Sequence, residues 1–267
     1  MLSQAAFRNA QARVSRSMVE LAASAVRRYG VPGSSDEQRS FAARLYPHVV
    51  QARERSYVLS THRMQSSSPT RPAPIRPYPV DAVESAVSDV VERSRKPRVR
   101  VTYLDQVSRA ERKPRVRVTS DLGARLARHA YQAGRDVVVD TADSMGEGVG
   151  WARVLTGAEN CAWCVMLASR GPVYRSERAA LTASGRRGTR AAGEKFHDFC
   201  DCETVLVHKG RDWEGHKQFE LYEDLWSEAT RGYSGNAALN ALRRQLDRAQ
   251  RDGLSHQELL DALRAEH

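Results

Sequence analysis

Apolar residues recur along most of this chain at three- and four-residue intervals, and that rhythm predicts helices. Ala6, Val14, Met18, Leu21 and Val26 share one face of a helix through about the first thirty residues, stopped by Gly30-Val31-Pro32-Gly33. A second helix follows, with Ser35 and Gln38 as a capping box, Phe41, Leu45, Val49 and Val50 on its apolar face, and a kink at Pro47. Helical patterning resumes from Val80 to Val91 and again from Ser120 to about Met145, where Leu122, Leu126, His129 and Ala130 form a stripe. His129 reads there as a half-buried face residue. The tail carries three more faces: Leu221, Leu225 and Ala229; then, after the turn Gly232-Tyr-Ser-Gly235, Leu239, Leu242 and Leu246; and finally Leu259, Leu260 and Leu263 behind a Ser255-x-x-Glu258 capping box. Such stripes form core or partner-docking surface.

The period changes in two places. Trp151-Ala-Arg-Val-Leu155 and Thr204-Val-Leu-Val-His208 read as short strands, and Cys164 to Ser169 reads as a helical turn closed by Gly171 and Pro172. The run Gly146-Glu-Gly148-Val-Gly150 lacks the strand-turn-helix setting of a dinucleotide site and reads as a loop. The expected fold class is α+β and predominantly helical, with long helices and a small β-containing subdomain. Residues 66 to 79 contain five of the ten prolines and read as an extended, stiff linker. The expected organisation is a helical region over 1–66, the linker over 67–79, a basic segment with helices over 80–148, a compact subdomain over 149–210 and a helical tail over 211–267.

Composition adds charge to this picture. The chain has 267 residues, enough for one sizeable domain or two small ones, and no run of about eighteen apolar residues that would span a membrane. A formal net charge of +10 favours a polyanionic neighbour. Between Val91 and Val118 ten Lys or Arg stand against three acids, so this stretch supplies +7 of that total. It contains a duplication: Lys96-Pro-Arg-Val-Arg-Val-Thr102 recurs as Lys113-Pro-Arg-Val-Arg-Val-Thr119. Alternation would place Val99 and Val101 on one strand face and Arg98 and Arg100 on the other. Lys96, Arg98, Arg100, Lys113, Arg115 and Arg117 are therefore candidate phosphate-backbone contacts, with a solvated connector as the alternative reading. Tyr103 is the lone aromatic within the segment, so base stacking is not indicated.

The candidate chemistry lies in the cysteines. All four fall in two clusters, Cys161-Ala-Trp-Cys164 and His197-Asp-Phe-Cys200-Asp-Cys202. This C-x2-C…H-x2-C-x-C array offers five soft ligands for a tetrahedral ion, because ligands two or three residues apart let one turn supply two corners. Two disulfides are the competing reading. The opening MLSQAAFRNAQARVSRS has no apolar core of a secretory signal, which favours a reducing compartment and hence metal. Five ligands for four corners leave one surplus, either Cys202 or His197. A saturated zinc is structural rather than catalytic. H-E-x-x-H, G-x-S-x-G and G-x-x-x-x-G-K-[ST] are all absent from the sequence, so the obvious hydrolase and phosphate-binding templates fail.

Around these residues the chain resembles the Mu F-like minor capsid, or head morphogenesis, family of tailed bacteriophages, in the form found in phages of actinobacteria. Cys161-Ala-Trp-Cys164-Val-Met-Leu-Ala-Ser-Arg-Gly-Pro-Val-Tyr174 and Phe196-His-Asp-Phe-Cys-Asp-Cys202 carry the likeness, extended by Trp151 to Gly157, by Leu225-Trp226 and by Gly232 to Gly235. It covers roughly Gly146 to Leu246 and departs at Asp198, where many members carry proline. The resemblance implies a structural zinc held among Cys161, Cys164, His197, Cys200 and Cys202 in a knuckle subdomain. It implies a virion protein assembled in the host cytoplasm, associated with the portal or the capsid interior. Its partners would be portal or major capsid subunits, with viral DNA as a further candidate; its role would be head assembly, DNA packaging or delivery, with no enzyme implied. A zinc-containing DNA-binding protein is the alternative, and a metal-dependent nuclease or transferase ranks below both. No membrane and no small-molecule substrate are expected.

Overall fold

In the computed structural model the described residues are 3–95, 114–156, 160–174, 200 and 202–266. Among them the chain is mostly helical with one small sheet, the expected α+β class. The elements are α1 (Gln4–Tyr29), α2 (Ser35–Ser67), α3 (Asp81–Arg95), α4 (Pro114–Met145), β1 (Val149–Val154), α5 (Ala162–Ala168), β2 (Val173–Tyr174), β3 (Glu203–His208), α6 (His216–Ala229), α7 (Gly235–Asp252) and α8 (His256–Ala265). No described helix is long and apolar enough to cross a membrane. The chain divides into two compact units. The described part of the first lies within Met1–Ser67 and Pro74–Val137; that of the second lies within Ser68–Ala73, Val138–Glu194 and Cys200–His267.

The first unit is built on four helical faces. Val14, Met18 and Val26 of α1, Phe41, Leu45 and Val49 of α2, Val83, Val87 and Val91 of α3, and Val118, Leu122 and Leu126 of α4 form one buried cluster. Gly30 ends α1 with φ +79°, a conformation that costs glycine little, and its N–H donates to Val26 O at 3.1 Å. The cap of α2 sits one residue earlier than Ser35 and Gln38. Ser34 Oγ accepts from Glu37 N–H at 3.3 Å, while the Glu37 carboxylate accepts from the Ser34 and Gly33 amides at 3.0 and 2.6 Å. The Ser34 and Gly33 amides hold the Glu37 pKa below its usual value.

The first basic copy lies outside the described residues, and with it Lys96, Arg98, Val99, Arg100 and Val101. Lys113, at the start of the second copy, lies outside them as well. The rest of the second copy is helical rather than a strand, and α4 starts at Pro114 rather than near Ser120. Proline suits a first helical position, where its missing N–H would have no partner in the helix. Two residues apart on a helix is about 200° of rotation, so Val116 is 49 % exposed while Val118 is 1 % exposed and continues the Leu122, Leu126 stripe. That four-residue register outweighs the local alternation of Arg and Val. Arg115 and Arg117 are therefore helix residues, not one edge of a ribbon.

The part of the proline-rich stretch that belongs to this unit, from Pro74 on, is docked in it through Tyr78. Tyr46 Oη donates to Tyr78 O at 2.7 Å, the two rings stack at 6.0 Å, and Arg53 lies 4.2 Å over the Tyr78 ring. Arg53 is buried and donates to His129 O at 2.8 Å. Arg128 Nη2 lies 3.1 Å from His129 Nε2, and Tyr78 Oη lies 2.6 Å from His129 Nδ1. Since arginine only donates, Nε2 is the acceptor, and the imidazole proton sits on Nδ1 facing Tyr78. His129 is thus the half-buried face residue expected from the stripe.

Gly134 marks a close approach of α4 to α2. A Cβ there would lie 2.5 Å from Ser60 Oγ and 2.7 Å from Ser56 O, the latter a backbone atom that cannot rotate away. Gly134→Ala is expected to destabilise the protein by about 1–3 kcal/mol through overpacking, despite the better helix propensity of alanine. Urea unfolding of the full chain measures this, and a variant as stable as the parent would contradict the packing.

In the second unit the sheet has the order β2-β1-β3, with both pairings antiparallel. β1 pairs with β3 from Val149↔His208 to Val154↔Glu203. Gly146 and Gly148, at φ +80° and +84°, form the turn that feeds β1, and Gly150 lies within the strand, so the expected loop is shorter than its glycine run. Ala152, Val154, Val205 and Val207 pack with Trp213. In the tail, α6 buries Tyr222, Leu225 and Ala229; α7 buries Ala238, Ala241, Leu242, Leu246 and Ala249; α8 buries Leu259, Leu260 and Leu263. Leu221 and Leu239 are only half-buried, because Tyr222 and Ala238 hold the inward positions. The Ser255/Glu258 capping box is present, with both reciprocal bonds.

Candidate metal centre

The spacing of the first cysteine pair is realised as a helix start. Cys161 is the N-cap of α5, in extended conformation at φ −70° and ψ 150°, and its Sγ accepts from Cys164 N–H at 3.4 Å. That contact satisfies one of the amide donors a helix start leaves open. Cys164 follows one turn later and is buried, while Cys161 is exposed at the rim. Gly171, at φ +68°, ends the segment after α5. A Cβ there would meet Phe219 at 2.8 Å, so the chain can turn this close to α6 only as glycine.

The second cluster is delivered by the sheet. Cys202 immediately precedes β3, whose six-residue ladder on β1 fixes where the strand begins. The ladder stops at Val154 because the next residue is bonded elsewhere. Leu155 N–H donates to Gln218 Oε1 at 2.8 Å, and Gln218 Nε2 donates to Leu155 O at 2.9 Å. Packing of α5 against β1, α6 and α7 then sets Cys164 beside the strand end.

The outcome is a buried group of three thiols. Cys164, Cys200 and Cys202 have their sulfurs within 4.8 Å of one another. The Cys164 to Cys200 Sγ separation is 3.7 Å, far beyond the ~2.05 Å of a disulfide. A tetrahedral ion with Zn–S bonds of ~2.3 Å spaces its sulfurs about 3.8 Å apart. Donor type, burial and separation therefore all fit zinc.

Left to themselves, the Cys164 and Cys202 thiols resist ionisation. The Cys164 thiol is raised far above its usual value, first by its hydrogen bond with Cys161, then by those with Cys200 and Cys202 and by burial. For Cys202 the bond with Cys164 acts in the lowering direction, but the bond with Cys200 and burial outweigh it and push the thiol up to about 11. Crowding makes one thiolate costly beside another. A divalent cation among them reverses that balance, since its charge stabilises every thiolate it touches.

Two further side chains border the cluster. Arg153 of β1 is buried, and its Nη1 lies 3.9 Å from Cys200 Sγ. Tyr222 of α6 is buried and contacts His256 Nδ1 through its hydroxyl at 3.2 Å. Burial first, and then the nearby Cys202, push its pKa up to about 12. Reading the sequence alone assigned neither residue a role. The available signal for Arg153 was a lone cation within an otherwise apolar strand pattern, Trp151-Ala-Arg-Val-Leu155.

Of the residues singled out from the sequence, the structure brings Cys164, Cys200 and Cys202 together and leaves Cys161 one turn away at the edge. His197 lies outside the described residues, as do Lys96, Arg98, Arg100 and Lys113. Arg115 falls in the first turn of α4, and Arg117 is half-buried on that helix.

With this geometry established, comparison with known proteins places the chain among phage sequences. The family model described as VG15 protein matches residues 3–229. The Gene 15 protein of Mycobacterium phage D29 is 35% identical over an alignment covering 38% of this chain and 48% of that protein. The Gene 15 protein of Mycobacterium phage L5 is 33% identical, covering 49% and 59%. The chain thus spans about half the length of the curated relatives it matches. No solved structure matches it.

Proposed function

The chain belongs to the VG15 protein family, and on that footing we propose that it is a non-enzymatic structural protein of a tailed-phage particle, of the Mu F-like minor capsid type, stapled by one zinc ion. The observation that carries this reading is the cluster of Cys164, Cys200 and Cys202, assembled from the two stretches on which the Mu F-like resemblance rests. Kinship with Gene 15 proteins of two mycobacteriophages supports the phage setting. Cys161 is the fourth ligand in this proposal: it is adjacent to Cys164 and already bonded to its amide. With four thiolates the ion has no vacant corner for a water nucleophile, so its work is to hold α5 against the start of β3.

The leucine-bearing helices are the proposed docking elements for portal or major capsid subunits, and the net charge of +10 suits a compartment that holds viral DNA. The experiment is mass spectrometry of purified particles of the parent phage together with particles lacking DNA. The chain is expected in both, at low copy number relative to the major capsid protein. Its absence from finished and empty particles alike would remove the structural reading and favour a protein acting in the host cell.

A further inference from the structure

We infer that Arg153 is a positioning residue of the sulfur centre, a built-in counter-charge that orients Cys200 and makes a buried zinc–thiolate ion tolerable. This rests on the zinc reading proposed above and concerns a residue which that reading does not assign. Arg153 is 6 % exposed, in a strand whose six residues are all buried. Its pairing partner across the ladder is Thr204, two residues after Cys202, and its Nη1 reaches to 3.9 Å from Cys200 Sγ.

The physical need is one of charge. Zinc with four thiolates carries two net negative charges, and a site with three of its four cysteines buried screens them only in part. A guanidinium beside one sulfur offsets part of that charge, and an N–H directed at the sulfur fixes the side chain's orientation, as outer partners of metal ligands do. Arginine at this strand position is thus matched to the metal-loaded, ionised state of the cluster.

The test uses the full chain and its R153K, R153Q and R153M variants, refolded from denaturant against graded free zinc, with competition by a chromophoric chelator. Refolding in the presence of the ion lets a variant that is unstable without it still report its zinc requirement. Cobalt substitution then reads the sulfur-to-metal charge-transfer band, which a purely packing role would not move. R153Q and R153M are expected to need roughly 10–100-fold more free zinc and to shift the band, with R153K recovering most of both. Equal zinc requirements and equal bands across all four proteins would overturn the inference, and so would an R153K as impaired as R153M. Failure of the parent chain to take up zinc or cobalt at all would remove the metal reading and this inference with it, whereas a zinc-binding parent with an unaltered R153Q removes this inference alone.

Discussion

Cys164→Ser is expected to lower the stability of the second unit by at least about 3 kcal/mol, a fraction of the ~10–16 kcal/mol with which structural zinc sites bind their ion at neutral pH. Cys164 is the sulfur common to the contacts of the cluster: 3.7 Å from Cys200, bonded through its amide to Cys161, and grouped with Cys202. Serine keeps the shape of the side chain but is a poor zinc ligand, so the loss falls on the metal rather than on packing. Zinc analysis with thermal melting, with and without chelator, provides the measurement. The parent should lose stability on chelation and fall toward the variant, while the variant should hardly respond. Lys217→Ala, at an exposed position of α6, serves as the control and should shift stability by no more than about 0.5 kcal/mol. A Cys164→Ser protein that melts like the parent and retains its zinc would refute the assignment.

The second large effect belongs to the first unit. Leu45 is 1 % exposed and sits in the cluster that joins α1, α2, α3 and α4, so Leu45→Ala is expected to cost about 2–5 kcal/mol. The loss combines the transfer energy of the removed atoms with the cavity left among side chains held by four helices. Urea unfolding gives the magnitude, and hydrogen exchange in α2 should locate it. Zinc content should stay at the parent level, since Leu45 belongs to the other unit from the cysteines. A change below about 1 kcal/mol would mean that this core collapses around the gap or is less well packed than it looks.

Much of this architecture is written locally in the chain. Gly30 and the Ser255/Glu258 pair end and begin helices through bonds that involve only near neighbours, so their sequence signatures translate directly. β1 and β3 were legible because Trp151 to Leu155 and Thr204 to His208 carry apolar residues at a spacing helices do not use, whereas the two-residue β2 was not; the spacing within each cysteine group marked metal ligands, while the meeting of Cys164 with Cys200, 36 residues on, depends on the fold. The second basic copy was misread because Arg-Val alternation over five residues fits a strand, while the deciding contact, Val118 continuing to Leu122 and Leu126, lies outside that window. Arg153 was illegible for a different reason. Nothing near it in sequence announces a partner, and Cys200 stands 47 residues away. Its role depends on two strands aligning in one register, which is a property of the assembled sheet.

Gln218 points to a wider property of that sheet. By supplying both a donor and an acceptor to Leu155, its side-chain amide impersonates the backbone of a neighbouring strand. Zippering halts there, so Cys202 lies just before the ladder rather than within it. An impostor strand of this kind is also a safeguard in crowded surroundings: a short β-ribbon whose end is already occupied offers fewer open hydrogen bonds for another molecule to extend.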